Sequence, residues 1–196
     1  MSRLLITCRL PDGSLDPLAA APDVEIVQRT GDKAATSAEL AEVAGEVDGI
    51  VSMVTDRIDS AVLAAGSGRL RVVANVAVGY DNIDVGAATE AGVVVCNTPG
   101  MVEAATADLA FALILAASRR LSEAEADLRA GSWHGWAIDQ YLGRAVYGAT
   151  LGIVGYGGIG RAVAGRARGF AMEVLHHTRT PTGDPGWVAD LHELLA

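Results

Sequence analysis

Short apolar runs, rich in β-branched residues, alternate along this chain with stretches whose apolar positions recur at helical spacing. The runs at residues 4–8 (LLITC), 24–27 (VEIV), 49–54 (GIVSMV), 71–75 (RVVAN) and 93–96 (VVVC) predict strands, the first followed by a Pro/Asp/Gly turn. Helices are predicted at 37–46, where Ala38, Leu40, Ala41 and Val43 supply the apolar points, at 60–65 and near 85–91. Such alternation favours a parallel sheet with helices on its faces. The pattern breaks at Asn97-Thr98-Pro99-Gly100, because Pro99 restricts Thr98 and Gly100 opens unusual backbone angles. A domain boundary placed there gives a first, doubly wound domain at residues 1–99.

The second domain is expected at residues 100–196. It opens with helical character at 102–118 and 121–130, followed by a loop at 131–148 that carries Trp133, His134, Trp136 and Tyr141. A second sheet then begins, with a strand at 150–154, a glycine-rich turn, a helix to about residue 170 and a strand at 172–177. Residues 187–196 read as the start of a further helix. A dinucleotide-binding fold is normally built from two βαβαβ halves. With only two strands after Gly148, the expectation is the first half of such a fold.

Charge and composition narrow the possible partners. The formal net charge of −9 repels phosphate backbones and anionic membrane surfaces, which argues against a nucleic-acid partner and against membrane attachment. The most apolar stretch, 109–117, lies between Asp108 and Arg119-Arg120 and is far shorter than the ~20 residues a bilayer span takes. It reads as a buried helix. The opening MSRLLI has too short an apolar run before Arg9 to resemble a signal peptide, and the expected location is the cytoplasm. Cys8 and Cys96, with no CxxC and no histidine pairing, read as reduced core residues with neither a disulfide nor a metal role.

The most informative motif is Gly155-Tyr156-Gly157-Gly158-Ile159-Gly160, a G-x-G-x-x-G with a predicted strand before it and a helix after it. In that context the first glycine allows a tight turn, the second lets the backbone approach a pyrophosphate, and the third lets the helix pack on the strand. The free N–H groups at the helix start then face the phosphates. The same six residues can also be an ordinary glycine-rich turn. An acid closing the second strand would mark a grip on the ribose 2′-OH of NAD. Here the sequence reads His176-His177-Thr178-Arg179-Thr180, with no acid. Arg179 can instead meet a 2′-phosphate, with Thr178 and Thr180 as hydrogen-bond donors, so NADP(H) is favoured over NAD(H). The competing reading is a surface arginine beside a turn. Adjacent His176 and His177 point to opposite faces of their strand and cannot serve one site, one lying near an adenine pocket and the other under a helix. His134 and His192 read as solvated.

Four blocks together resemble the D-isomer-specific 2-hydroxyacid dehydrogenases, and within them the glyoxylate and hydroxypyruvate reductase branch: NVAVGYDNID (75–84), NTPG (97–100), TADLAFAL (106–113) and LGIVGYGGIG (151–160). The resemblance runs through effectively the whole chain. It implies an α/β fold class, with a flavodoxin-like substrate domain followed by an incomplete Rossmann, doubly wound parallel-sheet domain for NAD(P). It also implies that the N–H groups at Val78 and Gly79 receive a substrate carboxylate, that Met53 lines the substrate pocket, and that Thr106 contacts the cofactor. Gly157 to Gly160 would hold the pyrophosphate, and Thr178-Arg179-Thr180 resembles the Ser-Arg-Thr of NADPH-preferring members. From the residues alone, Met53, Val78, Gly79 and Thr106 read as ordinary core or turn positions.

The implied chemistry is hydride transfer between NAD(P)H and a small 2-oxo acid of the glyoxylate or hydroxypyruvate class. The family uses an Arg, a Glu and a His for the reacting centre, and the resemblance places all three beyond Ala196, so no catalytic residue is expected in this chain and no turnover by it alone. The helix at 102–118 is apolar nearly all round, which suggests a covering second subunit and a homodimer in the complete form. Cover by the chain's own domains alone is the other reading. The rival functional reading is a non-catalytic remnant that binds cofactor or a full-length relative.

Overall fold

The computed structural model describes residues 1–30 and 33–196, and the chain divides into two compact units, Met1–Met101 and Val102–Ala196. In the first unit five strands alternate with helices: β1 (Ser2–Ile6), α1 (Asp16–Ala19), β2 (Val24–Gln28), α2 (Ser37–Ala44), β3 (Gly49–Ser52), α3 (Ser60–Ala65), β4 (Val72–Asn75), α4 (Val85–Glu90) and β5 (Val94–Cys96). All pairings are parallel, in the order β2-β1-β3-β4-β5. This is the flavodoxin-like order, whose ligand crevice lies outside the carboxyl ends of the strands. The core is aliphatic: Leu5, Leu40, Ile50, Ile58, Val62, Leu63, Val73 and Ile83 are buried and packed together. Each contributes roughly 1.5–3 kcal/mol relative to exposure.

The helices of this unit start where the sequence supplies caps. Thr36 and Glu39 form a reciprocal capping box at α2, and Asp59 accepts the Ala61 and Val62 amides at the start of α3. Asp59 also accepts a 2.7 Å hydrogen bond from the Ser37 hydroxyl, tying the two helix starts together. That hydroxyl, with the capped amides, holds the Asp59 carboxyl below its ordinary range, and the Thr36 amide and hydroxyl do the same for Glu39. A carboxylate whose pKa is lower folded than unfolded contributes stability above the unfolded value, and that stability is lost as pH falls through the folded value. Thermal unfolding followed by circular dichroism should therefore give a midpoint that is flat near neutrality and drops below the ordinary carboxylate range. Asp59→Asn should start lower and fall less steeply. Parallel curves for the two proteins would show that Asp59 carries no such linkage.

The second unit contains α5 (Glu103–Ser118), α6 (Leu121–Arg129), β6 (Thr150–Val154), α7 (Gly158–Ala167) running into a 3-10 turn (Arg168–Phe170), β7 (Glu173–His177) and α8 (Leu191–Leu195). Strands β6 and β7 pair in parallel from Thr150↔Glu173 to Val154↔His177, with α7 as the crossover. Its core joins Ala107 and Phe111 of α5 to Val163 and Ala167 of α7, with Phe170 tilted against Phe111 at 4.9 Å between ring centroids. The unit therefore holds one βαβ element of a doubly wound fold.

Several expectations are corrected. The Pro/Asp/Gly turn forms, with the Ser14 amide on the Pro11 carbonyl, and a short helix, α1, that no expectation covered follows it, with a proline in its first turn where the missing N–H costs nothing. Strand β1 is displaced toward the N-terminus, because Ser2 pairs with Val24 and its amide reaches the Asp23 carbonyl. Residues 187–190 are not helical: Trp187 bridges in parallel to His176, and Asp190 then caps the shorter α8. The stretch 109–117 is not a buried helix throughout. In α5 only Ala107 and Phe111 are buried, since α7 covers one side, while Leu109 and Leu113 are 63% and 60% exposed. Nor are the cysteines core residues: Cys96, on the last strand of its sheet, is exposed, and Cys8 is half-buried, both with free thiols. No helix among the described residues is long and apolar enough to cross a membrane.

Candidate functional site

In the second unit the glycine motif joins β6 to α7. Gly155 has φ +93°, a conformation an L side chain rarely adopts, and its amide donates to the His177 carbonyl at 2.9 Å. A Cβ at Gly160 would lie 2.3 Å from the Gly155 carbonyl oxygen, so only glycine permits this approach of α7 to the turn. At Gly157 a Cβ would meet nothing within 4 Å, so the backbone is open there. Gly157 caps α7 without any side-chain hydrogen bond, leaving the first-turn N–H groups without an acceptor among the described residues. The Gly158 position has a different reason for glycine: a Cβ would lie 2.7 Å from Glu103 Oε1 at the start of α5. Thr106, exposed and one turn on from Glu103, thus belongs to the helix end that meets the start of α7.

The side chain of Tyr156 turns away from this open edge. Its ring stacks on the fully buried His176 at 3.7 Å, and the Arg161 guanidinium lies 4.8 Å over it while pairing with Asp184 at 2.7 Å. Ile159 is partly exposed on the first turn of α7. At the ends of β6 and β7 a depression of about 400 Å³ is lined by Val154, Gly155, His177, Thr178, Arg179 and Thr180. Arg179 is exposed and has no ion-pair partner among the described residues, unlike Arg161. Thr178 departs from the expected free donor. Its hydroxyl donates to the Thr180 carbonyl at 2.7 Å and accepts from the Trp187 indole at 3.0 Å, so it shapes the turn instead. The Thr180 side chain stays exposed at the rim.

The histidines separate as their strand geometry requires. His177 lines the depression, with Nδ1 3.0 Å from the Val188 carbonyl, while His176 faces Tyr156 and has Nε2 3.0 Å from Thr182 Oγ1. His134 and His192 are exposed. Among the described residues no group of three or more His, Cys, Asp or Glu is placed to hold a metal ion.

In the first unit, Met53, Val78 and Gly79 lie just past the carboxyl ends of β3 and β4, which are neighbours with Ser52 opposite Asn75. The two loops are joined by the Ile58↔Ile83 bridge and by a buried polar network that sequence reasoning missed. Asp56, 1% exposed, accepts the Thr7 hydroxyl and the Ala35 and Met53 amides, the last two at 2.9 Å. Asn82 donates to the Met53 and Asp56 carbonyls at 3.1 and 2.8 Å. Asn75 accepts from Ser52 at 2.9 Å and donates to Asn82 and to the Gly79 carbonyl at 3.0 and 2.9 Å. The available signal was a polar residue closing an otherwise apolar strand run, as in VVAN and GIVS.

Comparison with known proteins adds the following. The glyoxylate reductase of Thermococcus litoralis is 42% identical over 182 residues, which cover 91% of this chain and 54% of that protein. The Thermococcus onnurineus glyoxylate reductase is 44% identical with the same coverage. The chain thus spans about half the length of the curated relatives it matches. Among solved structures, a Thermus thermophilus protein superposes with a TM-score of 0.91 at 41% identity, covering 98% of this chain and 61% of that one. A glyoxylate reductase from Paecilomyes thermophila gives 0.82 at 32% identity, covering 100% and 62%. The family model for the D-isomer specific 2-hydroxyacid dehydrogenase catalytic domain matches residues 4–182, and with that span of agreement the chain belongs to this family.

Proposed function

We propose that these residues form the carboxylate-receiving and dinucleotide-holding parts of a cytoplasmic reductase of small 2-oxo acids, of the glyoxylate or hydroxypyruvate class, that uses NADPH. The observation that carries the reading is the open glycine turn between β6 and α7 beside a depression whose one unpaired cation, among the described residues, is Arg179. The free N–H groups at the start of α7 suit a pyrophosphate, and Gly157 leaves room for its approach. Thr106 adds a hydroxyl near the same helix end. Arg179, with the Thr180 hydroxyl, would hold a ribose 2′-phosphate, and no acid is present on β7 beyond Glu173 at its far end to hold a 2′-OH instead. The chemistry supplied by the bound dinucleotide is hydride donation to the carbonyl carbon of the acid. Met53 borders the acid, and the Val78 and Gly79 amides receive its carboxylate. This reading assigns binding and orientation to the chain, and no proton transfer.

The exposed leucines of α5 support, in the same proposal, a homodimer formed over that helix. The test of the cofactor reading is a pair of fluorescence titrations with NADPH and NADH. Arg179→Ala should weaken NADPH by roughly 10- to 100-fold and leave NADH nearly unchanged, as expected for one lost charge-assisted contact. Equal losses for both would refute the 2′-phosphate role, and no binding of either by the unmodified chain would refute the cofactor site.

A further inference from the structure

The loop after β4 carries more order than a substrate-contacting turn requires. Three successive carbonyls are each held by a donor: Ala77 by the Thr98 amide at 2.8 Å, Val78 by Asn97 Nδ2 at 2.8 Å, and Gly79 by Asn75 Nδ2 at 2.9 Å. No peptide bond here is cis, so each planar trans unit points its N–H opposite to its C=O. Pinning the Ala77, Val78 and Gly79 carbonyls therefore aims the Val78, Gly79 and Tyr80 N–H groups away from the holders. None of those three N–H groups has an acceptor among the described residues. The holders are themselves fixed. Asn75 is 2% exposed and bonded to Ser52 and Asn82, and Asn97 directly follows the edge strand β5.

We infer that Asn97 and Asn75 are positioning residues, which aim three consecutive backbone amides, those of Val78, Gly79 and Tyr80, at one carboxylate. The inference rests on the carboxylate role proposed above and extends it to Tyr80 and to the two asparagines. Consecutive N–H groups left without internal acceptors can receive one anion at no cost in side-chain entropy. The Asp81 carboxylate flanks it, 3.3 Å from where a Gly79 side chain would begin, so a singly charged acid suits the cradle better than a doubly charged one.

The test uses the full chain, labelled with nitrogen-15 and titrated with oxamate, a 2-oxo acid mimic that cannot be reduced. The Val78, Gly79 and Tyr80 amide signals should shift saturably. Asn97→Leu, close in shape but without a donor, should weaken oxamate by about tenfold, and Asn97→Gln, which keeps the donor, should recover part of that loss. A purely structural role for Asn97 would lower thermal stability without this donor-dependent recovery. Should Asn97→Leu fail to fold, hydrogen exchange in the unmodified chain decides: the Thr98 amide should be protected, and the Gly79 and Tyr80 amides should exchange freely. Protected Gly79 and Tyr80 amides would overturn the proposed aim. Equal oxamate binding by Asn97→Leu would overturn the positioning role and leave the carboxylate site standing. No saturable response at these amides in the unmodified chain would overturn both.

Discussion

Gly160→Ala is expected to cost roughly 100-fold in NADPH affinity, the larger part of the ~1–3 kcal/mol typical of overpacking, while the first unit stays folded. The added methyl would lie 2.3 Å from the Gly155 carbonyl oxygen and 3.4 Å from the Ile153 side chain. The nearer atom is backbone and belongs to a turn already committed to φ +93°, so the strand end cannot give way cheaply. Helix α7 must move instead, carrying off the first-turn donors that face the pyrophosphate in our reading. Gly157→Ala is the informative partner. There a Cβ meets nothing within 4 Å, and the backbone conformation is ordinary for any residue, so the fold should be unaffected. If Gly157→Ala still weakens NADPH, the space above Gly157 is ligand space. NADPH binding that survives in both variants would remove the glycine turn from the cofactor site.

The second large effect is expected at Asp56. Its side chain is nearly inaccessible and gathers the Thr7 hydroxyl with the Ala35 and Met53 amides, three donors from three separate segments. Asp56→Ala leaves the buried Ala35 amide and the half-buried Met53 amide without this acceptor, while the Thr7 hydroxyl keeps the Val51 carbonyl at 3.2 Å. Each buried donor without an acceptor costs about 1–3 kcal/mol. A net loss of roughly 3 kcal/mol corresponds to a fall in unfolding midpoint of more than about 10 °C for a unit of this size. Asp56→Asn, which keeps the shape and one carbonyl oxygen, should lose much less. Alanine at the exposed Asp12 should change almost nothing. Scanning calorimetry would read all three. An Asp56→Ala midpoint within a degree or two of the unmodified chain would mean that water replaces the lost acceptor. The same substitution should free the Met53 loop, since Asp56 holds the Met53 amide and, through its own carbonyl, Asn82.

What the sequence determined by itself was whatever a short window can express. Helix α3 and strand β6 fall where the apolar pattern puts them, because spacing and flanking residues such as Asp59 and Gly66 set their limits locally. The glycine turn was equally legible, since the positive φ at Gly155 and the close approach at Gly160 require glycine at fixed positions within six residues. The parallel alternation and the family blocks likewise fix the fold class.

Tertiary structure decided what depends on distant partners. Trp187 looked like the start of a helix until its bridge to His176, and its indole bond to Thr178, drew it alongside β7. Cys96, Leu109 and Leu113 are as apolar in sequence as any core residue, but they lie on faces left exposed among the described residues. Asp56 and Thr7 stand 49 positions apart, and Asn97 and Val78 stand 19 apart. Only the register of β1, β3, β4 and β5 brings these pairs within hydrogen-bonding distance. A local pattern can mark a residue as polar in an apolar run, but which donor it meets is set when the strands align.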